Sequence, residues 1–240
     1  MSPAELAGDA RILWRLVRGQ SRRGDHAARL QDFYAPQAAR YDAFRERLLH
    51  GRAELVERLG IGAGMRVVEL GCGTGSSLDR IGPRAQACAG IQLVDLCPAL
   101  LAVAQRRAAR HANVEVIEAD AARWRPALAV DRVLLSYALT MIPDWEAVIA
   151  NAVGMLKPGG RLGVVDFHLP AAGGALSGGF WRRWFAHDGV HLSAAHLPAL
   201  RKHLPDAWTA ERHAPLPWLP GLRAPYYLFV GCRPGAAPGV

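Results

Sequence analysis

Between Met65 and Leu169 the chain alternates short β-branched runs with Ala/Leu-rich stretches of helical period. The runs "MRVVEL", "CAGIQLVD", "VEVIEA", "DRVLLSY" and "RLGVVDFH" are predicted strands, and Pro98 to His111 and Asp144 to Leu156 are predicted helices. Strands separated by helices are joined by crossovers, which makes neighbouring strands parallel and places helices on both faces. The expected class is therefore α/β, with a doubly wound, mostly parallel sheet. A chain of 240 residues has room for one such domain with appendages.

The appendages differ in character from the core. Residues 1–60 are expected to form an N-terminal helical, basic cap, with apolar residues at helical spacing (Ile12, Leu13, Leu16 and Val17, then Phe44, Leu48, Leu55 and Leu59). "GIGAG" at Gly60 to Gly64 breaks that pattern and opens the second unit, residues 61–240. After Pro170 the chain turns to Gly, Pro and aromatic residues, then ends in a strand-like "YYLFVGC".

No apolar run approaches the roughly 20 residues a membrane-spanning helix needs. Met1 to Gln20 mixes Arg with apolar residues and lacks the uninterrupted apolar centre of a signal peptide. The four cysteines show no CxxC spacing and no His/Cys cluster suggests a metal, so reduced thiols in the cytoplasm are expected. The net charge of +8 comes mostly from Arg, six of which lie between Arg11 and Arg29. That cluster reads as a solvated face, or as a contact for an anionic membrane surface. No recognisable nucleic-acid module accompanies it, so nucleic acid is not the expected partner.

In a doubly wound sheet, ligands sit at the carboxyl ends of the strands, where strand order reverses. "VVELGCGTGSS" sets Gly71, Gly73 and Gly75 directly after the first strand, where glycine lets backbone turn tightly beside a ligand. The sixth position of a dinucleotide fingerprint would be Gly or Ala, and here it is Ser76. Glu69, just before the loop, would also repel a pyrophosphate. Asp95 ends the second strand, where a carboxylate can accept from both hydroxyls of a ribose, and Asp120 ends the third. Either acid also suits the cap of a following helix.

Taken together, E-x-G-x-G-x-G, two strand-end acids and "LKPGG" before the fifth strand resemble the class I S-adenosylmethionine-dependent methyltransferases over residues 65–169. The resemblance implies a Rossmann-like sheet of seven strands and S-adenosylmethionine as cofactor. It implies that Glu69, Gly71, Cys72, Gly73, Thr74 and Gly75 surround the methionine moiety, with Asp95 and Leu96 at the ribose and Asp120 and Ala121 at the adenine. It further implies cofactor contacts from Ser136, Tyr137 and Met141, and from Tyr34 and Tyr41 on the N-terminal helices.

Four further blocks, "RLQDFYAPQAARYDAFRERLLHGR", "LSYALTMIPDW", "FWRRWFAHDGVHL" and "PGLRAPYYLFVG", are similar to the N-methyltransferase component of betaine-lipid synthases. That likeness implies three methylations of the amine of diacylglyceryl-homoserine, giving the trimethylated betaine lipid. It also implies a separate aminocarboxypropyl-transferring enzyme to supply the substrate, and a peripheral place at the inner face of the membrane. A methyltransferase of soluble small molecules is the alternative. If "FWRRWF" is helical, Phe180, Trp181, Trp184 and Phe185 occupy an arc of about 140° opposite Arg182 and Arg183. Such an arc suits either a bilayer interface or the protein core. For removal of the amine proton the candidates are Tyr137, after the fourth strand, and Asp166 and His168, at the end of the fifth.

Overall fold

The protein is described by a computed structural model that covers residues 31, 47–169, 192–216 and 221–235. Within it, β1 (Arg66–Leu70), β2 (Gly90–Asp95), β3 (Val114–Glu118), β4 (Val130–Ser136), β5 (Leu156–Phe167), β6 (Trp208–Pro215) and β7 (Arg223–Cys232) form one sheet. Its order is β3-β2-β1-β4-β5-β7-β6. β1 to β5 run parallel, and β7 lies antiparallel between β5 and β6. The seven strands and the mostly parallel arrangement are those the sequence leads one to expect.

The central strands are apolar on both faces because both faces are covered. Val67, Val68 and Leu70 in β1, and Val133, Leu134 and Leu135 in β4, are all buried, the pattern of interior parallel strands. Six helices accompany the strands among the described residues: α1 (Arg52–Leu59), α2 (Ser77–Ile81), α3 (Arg84–Ala87), α4 (Pro98–Ala108), α5 (Trp145–Gly154) and α6 (His196–His203). Leu55, Val56 and Leu59 of α1 pack with Leu78, Leu101, Val165 and Phe167 on one side of the sheet. Val148, Ile149 and Ala152 of α5 pack with Leu197 and Leu200 of α6 on the other. Pro98 at the start of α4 lacks the N–H that a first helical residue leaves unsatisfied anyway.

α1 is also tied to the far edge of the sheet. Arg212 on β6 makes a two-point ion pair with Glu54, at 2.5 and 2.9 Å, and the Arg58 guanidinium lies 3.5 Å over the Trp208 ring. Glu54 is held below the usual carboxylate range by these two arginines against the opposing effect of burial. Of the expected N-terminal cap, residues 1–30 and 32–46 lie outside the described residues, as do 170–191, which hold the aromatic insert. No described helix is long and apolar enough to cross a membrane.

Candidate active site

β1 and β4 lie side by side at the centre of the sheet, and their onward connections leave in opposite directions. At the carboxyl ends of the strands around that switch point is a cavity of about 340 Å³, the place where open α/β sheets bind ligands. Its floor is the loop after β1. Gly71 and Gly75 have φ of 69° and 67°, and both are closely packed. A Cβ on Gly71 would lie 2.6 Å from Ala138 Cβ, and one on Gly75 would lie 2.9 Å from Leu93 Cδ1. Gly73, at φ 55°, would meet nothing nearer than Leu100 Cδ1 at 3.9 Å, so its bare backbone faces open space.

Two carboxylates hold this loop in shape. Asp95 Oδ2 accepts the Gly73 N–H at 2.8 Å and Oδ1 accepts the Cys97 N–H at 2.9 Å, joining the loops after β1 and β2. Glu69, 4% exposed at the end of β1, accepts a short hydrogen bond from the Ser77 hydroxyl. Burial pushes the Glu69 carboxyl up to about 7, against the opposing effects of Ser77, Arg52 and Arg80. Burial likewise raises Asp95, and the backbone donors counter part of the rise. Asp120 accepts the Ala122 N–H at 2.9 Å. Both strand-end acids thus take a backbone donor two residues on, and both also line the cavity. A carboxylate oxygen has two lone pairs, so each Asp95 oxygen can accept one bond more.

Most of the residues singled out from sequence meet here: Glu69, Gly71, Cys72, Gly73, Thr74, Asp95, Leu96, Asp120, Ala121, Ser136, Tyr137 and Met141 all line the cavity. Gly75 does not, and its role is to let the loop press on Leu93 and Ala104. Tyr34 and Tyr41, like Phe180, Trp181, Arg182, Arg183, Trp184 and Phe185, lie outside the described residues.

The acid–base candidates divide. Tyr137 lines the cavity in a left-handed backbone conformation, φ 56°. Its ring meets Phe167 edge-on at 4.8 Å and its hydroxyl donates to the His50 carbonyl at 2.7 Å. Burial, reinforced by Asp166, keeps that hydroxyl protonated well above the usual tyrosine range, so it is no base at neutral pH. Asp166 and His168 do not line the cavity, which corrects the expectation from sequence. Residues two apart on a strand share a face, and here that face is the one packed against α6. Asp166, fully buried, accepts from the Thr140 hydroxyl at 2.7 Å, and from the N–H groups of Thr140 at 3.2 Å and Phe167 at 2.8 Å. His168 Nε2 lies 3.0 Å from Glu211, and burial lowers the His168 pKa while Glu211 opposes it.

Sequence reasoning missed three polar contributors. Arg52 and Arg80 both donate to the Ser76 hydroxyl at 3.2 Å and line the cavity beside Glu69. Asp144, exposed at the rim, precedes α5 without capping it through its side chain. The spacing of Arg80 four residues after Ser76, which precedes α2, is the one sequence signal for Arg80.

A family model described as a methyltransferase domain matches residues 67–160, the stretch from β1 into β5. Over residues 67–160 the chain is similar to methyltransferase domains. The demethylmenaquinone methyltransferase of Tropheryma whipplei (strain Twist) is 29% identical over 154 residues, 61% of this chain and 62% of that protein. The trans-aconitate 2-methyltransferase of Methylobacterium radiotolerans is 35% identical over 126 residues, 52% of this chain and 47% of that protein. The chain thus spans less than two thirds of the length of these curated relatives. Among solved structures, the N-methyltransferase NodS of Bradyrhizobium japonicum with S-adenosylhomocysteine superposes with a TM-score of 0.65 at 18% identity, covering 85% of this chain and 98% of that one. The likeness to NodS is one of fold.

The cofactor of the methyltransferase domain is S-adenosylmethionine, and the cavity fits it. Asp95 keeps lone pairs for two hydroxyls, Glu69 offers a carboxylate to a cation, and Gly73, at positive φ, presents bare backbone to the cavity.

Proposed function

We propose that the protein methylates the amine of diacylglyceryl-homoserine three times, forming diacylglyceryl-N,N,N-trimethylhomoserine. The observation that carries this reading is the bond from the Tyr137 hydroxyl to the His50 carbonyl. It joins two of the segments in which the chain is similar to the N-methyltransferase of betaine-lipid synthases. "LLHGR" contributes Leu49 and Arg52 to the cavity, and "SYALTMIPD" contributes Ser136, Tyr137, Ala138, Met141, Ile142, Pro143 and Asp144. On this reading these segments, packed beside the glycine loop through Ala138 and Gly71, are the part of the cavity lining that faces the acceptor.

Bound, the cofactor supplies an electrophilic methyl group on a sulfonium. Asp95 would hold the ribose hydroxyls, Glu69 the cationic end of the methionine, and Asp120 with Ala121 would border the adenine. The Tyr137 hydroxyl spends its hydrogen bond on the His50 carbonyl, so its oxygen offers lone pairs to an incoming N–H and orients the amine. Enclosure by Leu49, Leu55, Val56, Met141 and Ile142 disfavours the ammonium form and so lowers the cost of baring the nitrogen. Asp144 at the rim is placed to take the amine's proton, a step that each of the three methylations repeats. Much of the remaining rate enhancement is positioning.

The same reading assigns Phe180–Phe185 and the N-terminal arginines to contact with an anionic membrane surface. It assigns supply of the substrate to a separate enzyme that transfers an aminocarboxypropyl group. Purified protein with S-adenosylmethionine and diacylglyceryl-homoserine in mixed micelles tests it by mass spectrometry of the lipid. Mono-, di- and trimethylated products are expected, with free homoserine a poor acceptor because it lacks the remote contacts that orient the amine. No methylated lipid, with turnover of a quinol or a small carboxylic acid instead, would return the chain to the activities for which its curated relatives are named.

A further inference from the structure

The turn that carries the acceptor-facing wall is held by a carboxylate that never reaches the cavity. Asp166 and Thr140 are 0% and 1% exposed. Asp166 Oδ1 takes the Thr140 hydroxyl and Oδ2 takes the Thr140 N–H, so one side chain grips both donors of one residue. At the start of the same turn, the Tyr137 N–H donates to the Val165 carbonyl at 2.7 Å, alongside Asp166 on β5. Between these anchors sits Ala138, whose methyl abuts Gly71 so closely that no side chain fits there. Any slip of the turn along β5 therefore moves the ring of Tyr137, the side chain of Met141 and the glycine loop together.

On its other side Asp166 makes no side-chain hydrogen bond to β7 or α6 among the described residues. Its neighbour across the β5–β7 ladder is Tyr227, whose buried hydroxyl has no hydrogen-bond partner among the described residues, and neither ring nitrogen of buried His196 has one there. A carboxylate enclosed in this way is costly compared with an apolar residue of similar size, and what distinguishes it is direction: it accepts only along fixed lines.

We propose that Asp166 is a positioning residue for methyl transfer, acting through Thr140 to fix the turn from Tyr137 to Asp144 against the glycine loop. The proposal rests on the reading of that turn as the acceptor wall.

Three variants of the full chain test it: Thr140→Val, which keeps the shape and removes the hydroxyl, Thr140→Ser, which restores it, and Asp166→Asn. Turnover of diacylglyceryl-homoserine, S-adenosylhomocysteine affinity by calorimetry, and amide hydrogen exchange across residues 137–144 are measured on each. Thr140→Val and Asp166→Asn are expected to lower kcat about tenfold or more, the loss of one hydrogen bond to a charged group. Affinity for S-adenosylhomocysteine stays near wild type, exchange in the turn rises while that of β4 does not, and Thr140→Ser recovers turnover. Wild-type turnover and exchange in Thr140→Val overturn the proposal, as does lost activity that follows a general loss of stability without rescue by Ser. Where a variant does not fold, the others carry the comparison. A wild-type protein that methylates no lipid defeats the acceptor reading instead, and the exchange data then still decide whether Asp166 holds the turn.

Discussion

The Tyr137 hydroxyl donates to the carbonyl oxygen of His50, 2.7 Å away, and so fastens the end of β4 to the segment that leads into α1. Tyr137 thereby fixes the width of the cavity between two parts of the chain far apart in sequence. Tyr137→Phe keeps the edge-on contact with Phe167 and loses the bond. We expect a stability loss of about 1 kcal/mol, a fall in acceptor turnover larger than that, and cofactor affinity close to wild type. Thermal melts, calorimetry and steady-state kinetics on one preparation separate the three.

Asp95→Ala should abolish measurable cofactor binding in a folded protein. Two bonds to a charged acceptor are lost, each worth about 1.5–3 kcal/mol. The Gly73 N–H also loses its partner, so a modest drop in melting temperature accompanies the effect. Titration calorimetry at wild-type affinity would refute the ribose assignment.

Glu69 makes cofactor binding pH-dependent. Its carboxyl is raised from 4.5 to about 7 by burial, so near neutrality a cation arriving at it finds the site partly protonated. Affinity for S-adenosylmethionine is expected to rise as pH increases through about 7. Stability of the ligand-free protein runs the other way. The folded carboxyl has the higher pKa, so its contribution is complete below about 4.5 and is lost as pH rises through about 7. Glu69→Gln should flatten both profiles, which melts and calorimetry at several pH values would reveal.

Gly71→Ala forces a methyl into the space of Ala138 at a residue with φ 69°. A cost on the order of 1–3 kcal/mol is expected from the backbone conformation alone, with further loss of acceptor turnover as the turn is displaced. Gly64→Ala, also at positive φ (71°) but with nothing near its Cβ, is the control for backbone strain without contact.

Trp181→Ala with Trp184→Ala should weaken binding to anionic vesicles while S-adenosylmethionine affinity stays near wild type. Vesicle co-sedimentation of the folded double variant at wild-type levels would remove the interfacial role.

Most of the strands legible in the sequence were those buried on both faces. β1, β2, β4 and β5 read as strands because interior parallel strands are apolar on both faces, while the edge strand β3, with no buried residue, was legible from its alternating Val and Ile alone. β6 was not found, since "WTAERHAP" lies at the rim with only Ala214 buried, and a strand half in solvent carries little apolar signal. The cofactor half of the site was legible because backbone needs at a tight loop fix glycine positions in the chain itself. Arg52 and Arg80 were not, because their place depends on how α1 and α2 lie over the sheet. Asp166 and His168 misled for a geometric reason. Strand-end position was right, but alternation along β5 turned both side chains toward Tyr227 and α6, leaving Phe167 to face Tyr137.

The place of β7 sets the order in which the protein can be made. Leaving the ribosome, β5 has a neighbour on one flank only, and β6 emerges before the strand it pairs with. Both wait for Arg223–Cys232, which enters as a wedge with Tyr226, Tyr227, Leu228 and Phe229 all buried. Assembly is therefore not vectorial, and the nascent chain carries an open, apolar ledge until Arg223–Cys232 has been made. An open strand edge is a template for pairing with another chain, so products of stalled or clipped synthesis that lack β7 are destined for chaperones and proteases rather than for reduced activity.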